Sequence, residues 1–140
     1  MSDNLDLVRS IFAEWERGDY SSGEWAHSDM ELVIADGTTP GHWRGLAVCA
    51  AAWRDLLSAW EGMLSDAEQY LELDNERVLV LAHFSGHGKR SGLDLEQITG
   101  SGRGAALFHV RDRKVTRHVV YLDRERALAD LGLAETQESN

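Results

Sequence analysis

The chain has 140 residues, 43% of them hydrophobic, and a formal net charge of −10; one domain of that size buries roughly two-thirds of its unfolded surface without a disulfide or metal staple. Its 14 Lys and Arg residues are scattered among 24 carboxylates, so there is no basic stripe for phosphates and no nucleic acid partner is expected. A single cysteine, Cys49, sits among alanines and forbids an intrachain disulfide, residues 1–20 do not read as a signal peptide, and no apolar run is long enough for a membrane, which together suit a cytoplasmic protein.

Leu5, Val8, Ile11, Phe12 and Trp15 recur at three- and four-residue spacing and predict an amphipathic helix that Gly18 ends. Ser21 and Ser22 can cap a short helix through Trp25 and His27, and residues 30–36 read as a strand stopped by Gly37 and Pro40. Leu46, Cys49, Ala50, Trp53, Leu56, Leu57, Trp60 and Met63 predict a second long helix, with Arg54, Asp55 and Glu61 on its wet side. From Asp66 the period changes to two. Residues 67–74 and 77–89 read as strands about a turn at Asp74-Asn75-Glu76, and Ser91-Gly92 reverses the chain into a further strand over 93–98. The run Gly100-Ser101-Gly102-Arg103-Gly104 suits a bulge or rim loop; it lacks the lysine and the following helix of a phosphate cradle. Residues 105–110 and 115–122 then form a hairpin about Arg111-Asp112-Arg113-Lys114. A helix over 124–131 follows, with Asp123 as N-cap, Gly132 at the left-handed C′ position and Leu133 folding back on Leu128, before a frayed polar tail at 134–140. Helices first and antiparallel strands afterwards describe an α+β layer fold, a curved sheet wrapped over helices with a cone-shaped pocket.

The pattern from Trp15-Glu16-Arg17-Gly18-Asp19, through His42-Trp43-Arg44-Gly45, to Tyr121-Leu122-Asp123-Arg124 resembles the SnoaL-like group of the nuclear transport factor two-like superfamily, over residues 3–133. The resemblance implies a single SnoaL-like domain: a cone-shaped α+β barrel, its curved mixed or antiparallel sheet wrapped around the N-terminal helices and closed by a short C-terminal helix. That scaffold hosts isomerases, cyclases, dehydratases, epoxide hydrolases and plain binding modules, so it specifies a fold more strongly than a reaction. One departure is Arg113, where similar chains have glycine in the hairpin turn. Matched to the ketosteroid isomerases, Asp36 falls where they keep a general base, but Ile11 and Ala106 replace the tyrosine and protonated acid of their oxyanion hole. The acid of polyketide cyclases lies in the same strand region as Ala106. Neither mechanism carries over as it stands.

The register that follows puts Leu79, Leu81, His83 and Ser85 inside the cone, with Ala106, Phe108, His118, Val120 and Leu122 on neighbouring strands. His83 and His118 would then stand about 10 Å apart across one strand and grip opposite ends of a small ligand. Asp36 and His83 are the candidate acid–base pair, the carboxylate tuning the imidazole for proton abstraction beside a carbonyl, with His118 orienting the ligand. The plain alternatives are half-buried sheet histidines bonded to water or backbone, and an Asp36 that serves turn chemistry before Gly37. Trp25 and Trp43 are candidate rim residues, whereas Trp15, Trp53 and Trp60 read as packing. His83 and His87 would be spread by about 13 Å on a strand, so no metal site is expected, and no cofactor. The expected function is a hydrophobic small-molecule pocket, acting without a cofactor as an isomerase, cyclase, dehydratase or hydrolase on a carbonyl- or hydroxyl-bearing compound. The alternative is a non-catalytic binding or dimerisation module. The resemblance also implies a homodimer through the outer sheet face, where Arg117, Val119 and Tyr121 would lie.

Overall fold

The computed structural model describes residues 3–17, 19, 24–36, 40–58, 60–88 and 102–133, with the side chains of 60–64 and 88 left aside. The expectations for Gly18, Ser21, Ser22, Gly37, Lys89, Ser91, Gly92, the strand over 93–98, Gly100, Ser101, the Trp60 and Met63 side chains and the tail at 134–140 lie outside the described residues.

In chain order the elements are α1 (Asp3–Glu16), β1 (Ala26–Ile34), β2 (Gly41–Arg44), α2 (Leu46–Ser58), β3 (Trp60–Glu72), β4 (Arg77–Gly88), β5 (Arg103–Arg111), β6 (Lys114–Tyr121) and α3 (Arg124–Asp130). The strands form one six-stranded sheet in the order β2-β1-β6-β5-β4-β3. The β1–β6 ladder is parallel and the others are antiparallel. As the helical spacing predicts, α1 buries Val8, Ile11, Phe12 and Trp15 against the sheet.

Several local readings change. Trp25 stands in a turn and β1 begins at Ala26, in place of a short helix; the Val115 N–H donates to the Trp25 carbonyl (2.8 Å) and Ala26 pairs with Val115, so the parallel ladder claims this backbone. Trp43 lies in strand β2, opposite Leu32, and not in a loop. Finally, α2 stops at Ser58 and Trp60 already pairs with Gly88. Aromatic and large apolar residues serve a strand as well as a helix, and pairing with the long β4 decides between them.

Arg103 and Gly104 are also regular members of β5, Gly104 facing Ala82. A Cβ at Gly104 would lie 2.4 Å from both the Tyr121 carbonyl oxygen and the Phe84 ring, so the glycine permits a close approach within the sheet. In the β5–β6 hairpin Asp112 (φ 53°) and Arg113 (φ 65°) both take the left-handed region, the two-residue turn that suits strand twist even without glycine. The final helix is capped as read. Asp123 accepts from the Glu125 N–H, Gly132 has φ 73°, and the N–H groups of Gly132 and Leu133 donate to the carbonyls of Ala129 (3.1 Å) and Leu128 (2.7 Å), a complete Schellman motif.

The sheet separates two apolar clusters. The inner one joins Phe12 and Trp15 of α1 to Val78, Val80, Ala82, Phe84, Ala106, Phe108 and Val120. The outer one joins Leu79, Leu81, Ala105, Leu107, Val119 and Tyr121 to Ala127 and Leu128 of α3. The expected register of β4 is therefore off by one residue: Leu79 and Leu81 face outward, and by strand alternation so do His83 and Ser85. The cause is legible in the strand itself, since Val78, Leu79, Val80, Leu81 and Ala82 are apolar at every position and are all buried. A strand covered on both faces carries no alternation to fix its register. On β6, Val119 and Tyr121 do lie on the outer face but are buried within the chain, and Arg117 is the surface residue of that trio, its side chain 43% exposed.

Candidate functional site

The most unusual polar group lies at the centre of the inner cluster. His118 on β6 faces Phe108 on β5 in the ladder, and their rings stack with centroids 4.7 Å apart at 8°. From α1, Trp15 lies 5.5 Å from the imidazole; from α2, Trp53 lies 5.3 Å away; and the turn before β1 brings Trp25 edge-on at 6.3 Å. Each helix contributes the indole its apolar face already carried. The imidazole is 2% exposed, and its Nε2 has no hydrogen-bond partner among the described residues. Burial alone pushes its pKa down from 6.5 to about 3, because aromatic walls replace the water that would solvate an imidazolium. His118 is thus a neutral ring at ordinary pH, one nitrogen a donor and the other an acceptor.

Beside it is an apolar cavity of about 10 Å³, closed by Trp53, Leu56 and Leu57 of α2 and floored by Ala106, His118, Val120 and Leu122, with Trp15, Ser65 and Phe84 completing the lining. That is room for about one water. Ala106, His118, Val120 and Leu122, expected on the concave face, line this cavity, and Phe108 stacks behind His118. Trp15, Trp53, Leu56, Leu57, Ser65 and Phe84 were missed as lining residues. The first four sit on helix faces that read equally well as packing, and Phe84 was hidden by the one-residue slip in β4.

The expected Asp36–His83 pair does not form. Asp36 lies just past the end of β1, on the inner side by alternation, whereas His83 faces outward on β4, three strands away in the sheet order, a lateral distance of roughly 14 Å. The Asp36 oxygens accept from the backbone N–H groups of Leu122 (2.7 Å) and Asp123 (3.2 Å), fastening the end of β1 to the start of α3. His83 and His118 are likewise apart. One strand does separate their strands, but His118 lines up through Phe108 with Val78, five residues down β4 from His83.

His83 instead belongs to an outer polar region around Arg124. The Arg124 guanidinium donates to the carbonyls of Ala82 (2.8 Å) and Gly104 (3.2 Å) and to the Glu68 carboxylate. That bond holds the Glu68 carboxyl below its usual range, and the nearby charges of His83 and Arg103 add to the effect. Trp43 is half-buried against the inner cluster at the sheet edge, its ring close over Gly41, and does not line the cavity. Among the described residues no group of three or more His, Cys, Asp or Glu side chains is placed to hold a metal ion, and no helix is long and apolar enough to cross a membrane.

No family model matches the sequence, and neither does any curated protein. Solved structures do match. One is a nuclear transport factor two-like protein of unknown function from Burkholderia pseudomallei, 16% identical with a TM-score of 0.71 over 92% of this chain and 97% of that one. The chain has the nuclear transport factor two-like α+β cone fold. Its neighbours on this cone include a candidate SnoaL-like polyketide cyclase from Mesorhizobium loti (12% identity, TM-score 0.65, covering 83% of this chain and 96% of that one). Another is a protein of ketosteroid isomerase-like fold from Catenulispora acidiphila in complex with trimethylamine (16% identity, TM-score 0.66, covering 91% and 93%).

Proposed function

We propose that this cone is a binding pocket for a compact hydrophobic molecule bearing a carbonyl or hydroxyl group, with His118 as the polar anchor. The observation that carries the reading is the Nε2 atom of His118, buried and without a partner among the described residues in an otherwise apolar cavity. A buried polar atom without a hydrogen bond costs about 1–3 kcal/mol. A ligand hydroxyl donating to that nitrogen, or a ligand carbonyl accepting from it in the other tautomer, recovers that loss. The Catenulispora neighbour, in complex with trimethylamine, shows that a protein of this fold can hold a small molecule, which supports the reading.

Acid–base catalysis is the second reading, favoured by the candidate polyketide cyclase among the neighbours. Magnitudes place it behind binding. With a pKa of about 3 in place of 6.5, the imidazole takes up a proton at a penalty of about 5 kcal/mol relative to an exposed histidine, at 1.36 kcal/mol per pH unit. A neutral ring tuned this way is a good hydrogen-bond partner and a poor base at neutral pH.

Thermal-shift screening of hydrophobic ketones and lactones against parent protein and His118→Phe tests the reading. A true ligand at a hundredfold excess over its Kd stabilises the parent by about 2.7 kcal/mol, with a clearly smaller shift in His118→Phe. Equal shifts in the two proteins would remove His118 from the ligand site. Turnover of a stabilising compound would move the catalytic reading ahead.

A further inference from the structure

Outside the inner cluster, between α1 and the start of β6, lies an open groove of about 320 Å³. Ligand sites for small molecules start at about this volume. Leu7 and Ile11 form its apolar floor, Glu14, Glu24, Arg113 and Lys114 its charged margin, and Trp25 one wall. Trp25 is half-buried, and it is the aromatic side chain that belongs to both places. One side meets the groove; the other meets the His118 ring edge-on at 6.3 Å and Trp15 at 6.1 Å.

The cavity beside His118 holds about 10 Å³, too little for any ring. A ligand head can reach the imidazole only if an aromatic or aliphatic wall moves. Trp25 is not part of the lining of that cavity, but its indole covers an edge of the His118 ring, and displacing it would open that edge to a groove some thirty times larger than the cavity, by the ratio of the two volumes (320 to 10 Å³).

Building on the binding reading above, we propose that this groove is the entrance and outer subsite for a ligand of the His118 ring, with the Trp25 indole as the partition between groove and imidazole, and that the ligand is amphipathic. Its compact apolar head goes to His118 and its tail stays in the groove. The groove offers both signs of charge. Lys114 donates to the Glu24 backbone carbonyl, Arg113 reaches Asp3 at 3.6 Å, and the Glu14 and Glu24 side chains stand beside them. A neutral tail that donates and accepts at once, such as an alcohol or amide, suits this margin better than an ionic one.

Two measurements test this. Diethyl pyrocarbonate carbethoxylates neutral, accessible imidazoles, and mass spectrometry reads each histidine separately; exposed His27 and His42 serve as internal controls. In the parent, His118 should react far more slowly than the controls. In Trp25→Ala its rate should rise at least tenfold, in Trp25→Phe by a smaller factor, and in Leu107→Ala, on the outer face, it should stay near the parent rate, with the controls unchanged throughout. Trp25→Phe keeps the test open if the alanine variant fails to fold. An unmoved His118 rate in the folded Trp25 variants, or an equal rise in Leu107→Ala, overturns the entrance. The outer subsite is read with a near-isosteric pair, 4-propylphenol and 4-(2-hydroxyethyl)phenol, which differ by CH3 against OH at the end of the tail. The hydroxylated probe should bind at least fivefold tighter to the parent, and Glu14→Gln with Lys114→Met should abolish that preference. Equal affinity, or no binding of either probe, overturns the tail assignment. Labelling needs no ligand, so a failed ketone screen with an opened His118 would reject the binding reading and leave the entrance standing.

Discussion

The two faces of the sheet are made from alternating residues of the same strands, yet they are finished differently. On the outer face aliphatic side chains pack beneath α3, and polar groups find partners: Arg124, its side chain 12% exposed, meets two carbonyls and Glu68, the Tyr121 hydroxyl donates to Asp130 (3.2 Å), and Arg117 reaches Glu31 (3.6 Å). On the inner face aromatic rings crowd together at angles from steep, Phe12 against Phe108 at 81°, to parallel, Phe108 against His118 at 8°, around an imidazole nitrogen with no partner among the described residues. A face built for stability satisfies its polar groups. A face that holds one open is the place to look for a ligand.

The largest effect should come from removing the ring on which His118 stacks. Phe108 is fully buried, and Phe108→Ala should cost about 4 kcal/mol by urea denaturation, from lost transfer energy and the cavity left behind. Leu107, its neighbour on the outer face, is 5% exposed, and Leu107→Ala should cost about 3 kcal/mol while leaving His118 shielded from diethyl pyrocarbonate. If Leu107→Ala exposed His118 as much as Phe108→Ala, the two faces would be one coupled core and the contrast would fail.

Acid should break the inner face next. The folded pKa of His118 lies below its unfolded value, at about 3 against 6.5, so between those pH values the unfolded chain holds a proton that the folded chain lacks. Stability from the neutral ring is complete above pH 6.5 and is lost as the pH falls towards 3. At 1.36 kcal/mol per unit, acidification from pH 6.5 to pH 4.5 costs roughly 3 kcal/mol. His118→Phe should flatten most of that slope and gain stability at pH 4.5. A small slope remains, since burial, reinforced by Arg117 and Arg77, also lowers the pKa of half-buried His109 on the outer face. A urea midpoint that falls equally with pH in both proteins would show that His118 is wetter than its surroundings indicate.

Much of the fold was legible because its signals are local. The face of α1, the hairpin around Asp112-Arg113 and the caps of α3 depend on residues a few positions apart, and each stands where spacing and turn chemistry put it. His118, Val120 and Leu122 were legible for the same reason: β6 reads outward from a tight turn, which fixes its parity. What failed depends on pairing at a distance. The start of β3 at Trp60 is decided by Gly88, β2 by Leu32, and the register of β4 by the ladder Val78↔Phe108↔His118. In each case the local sequence tolerates either outcome.

Asp36 offers a smaller and sharper contrast between construction and chemistry. Its carboxylate joins two backbone N–H groups, one of them on Leu122, which lines the cavity. Asp36→Ala should therefore cost about 1–2 kcal/mol, the scale of a lost capping side chain, and Asp36→Asn should recover part of it through the remaining carbonyl oxygen. Ligand affinity should change with stability and no further. A thousandfold loss of turnover in a fully folded Asp36→Asn would return this residue to a chemical role.

The smallest expected effect carries the register argument. His83 is half-buried on the outer face, opposite Asp66 on β3 and Arg103 on β5, with Glu68 near enough to feel its charge. Surface substitutions away from special features usually change stability by no more than about 0.5 kcal/mol, and His83→Ala should fall in that range with no change in ligand-induced stabilisation or in His118 labelling. Had β4 slipped by one residue, His83 would occupy the concave face and the same substitution would alter both. Comparing His83→Ala with His118→Phe therefore asks which parity of β4 faces the cone, and a ligand shift lost in the first but kept in the second would invert the two faces.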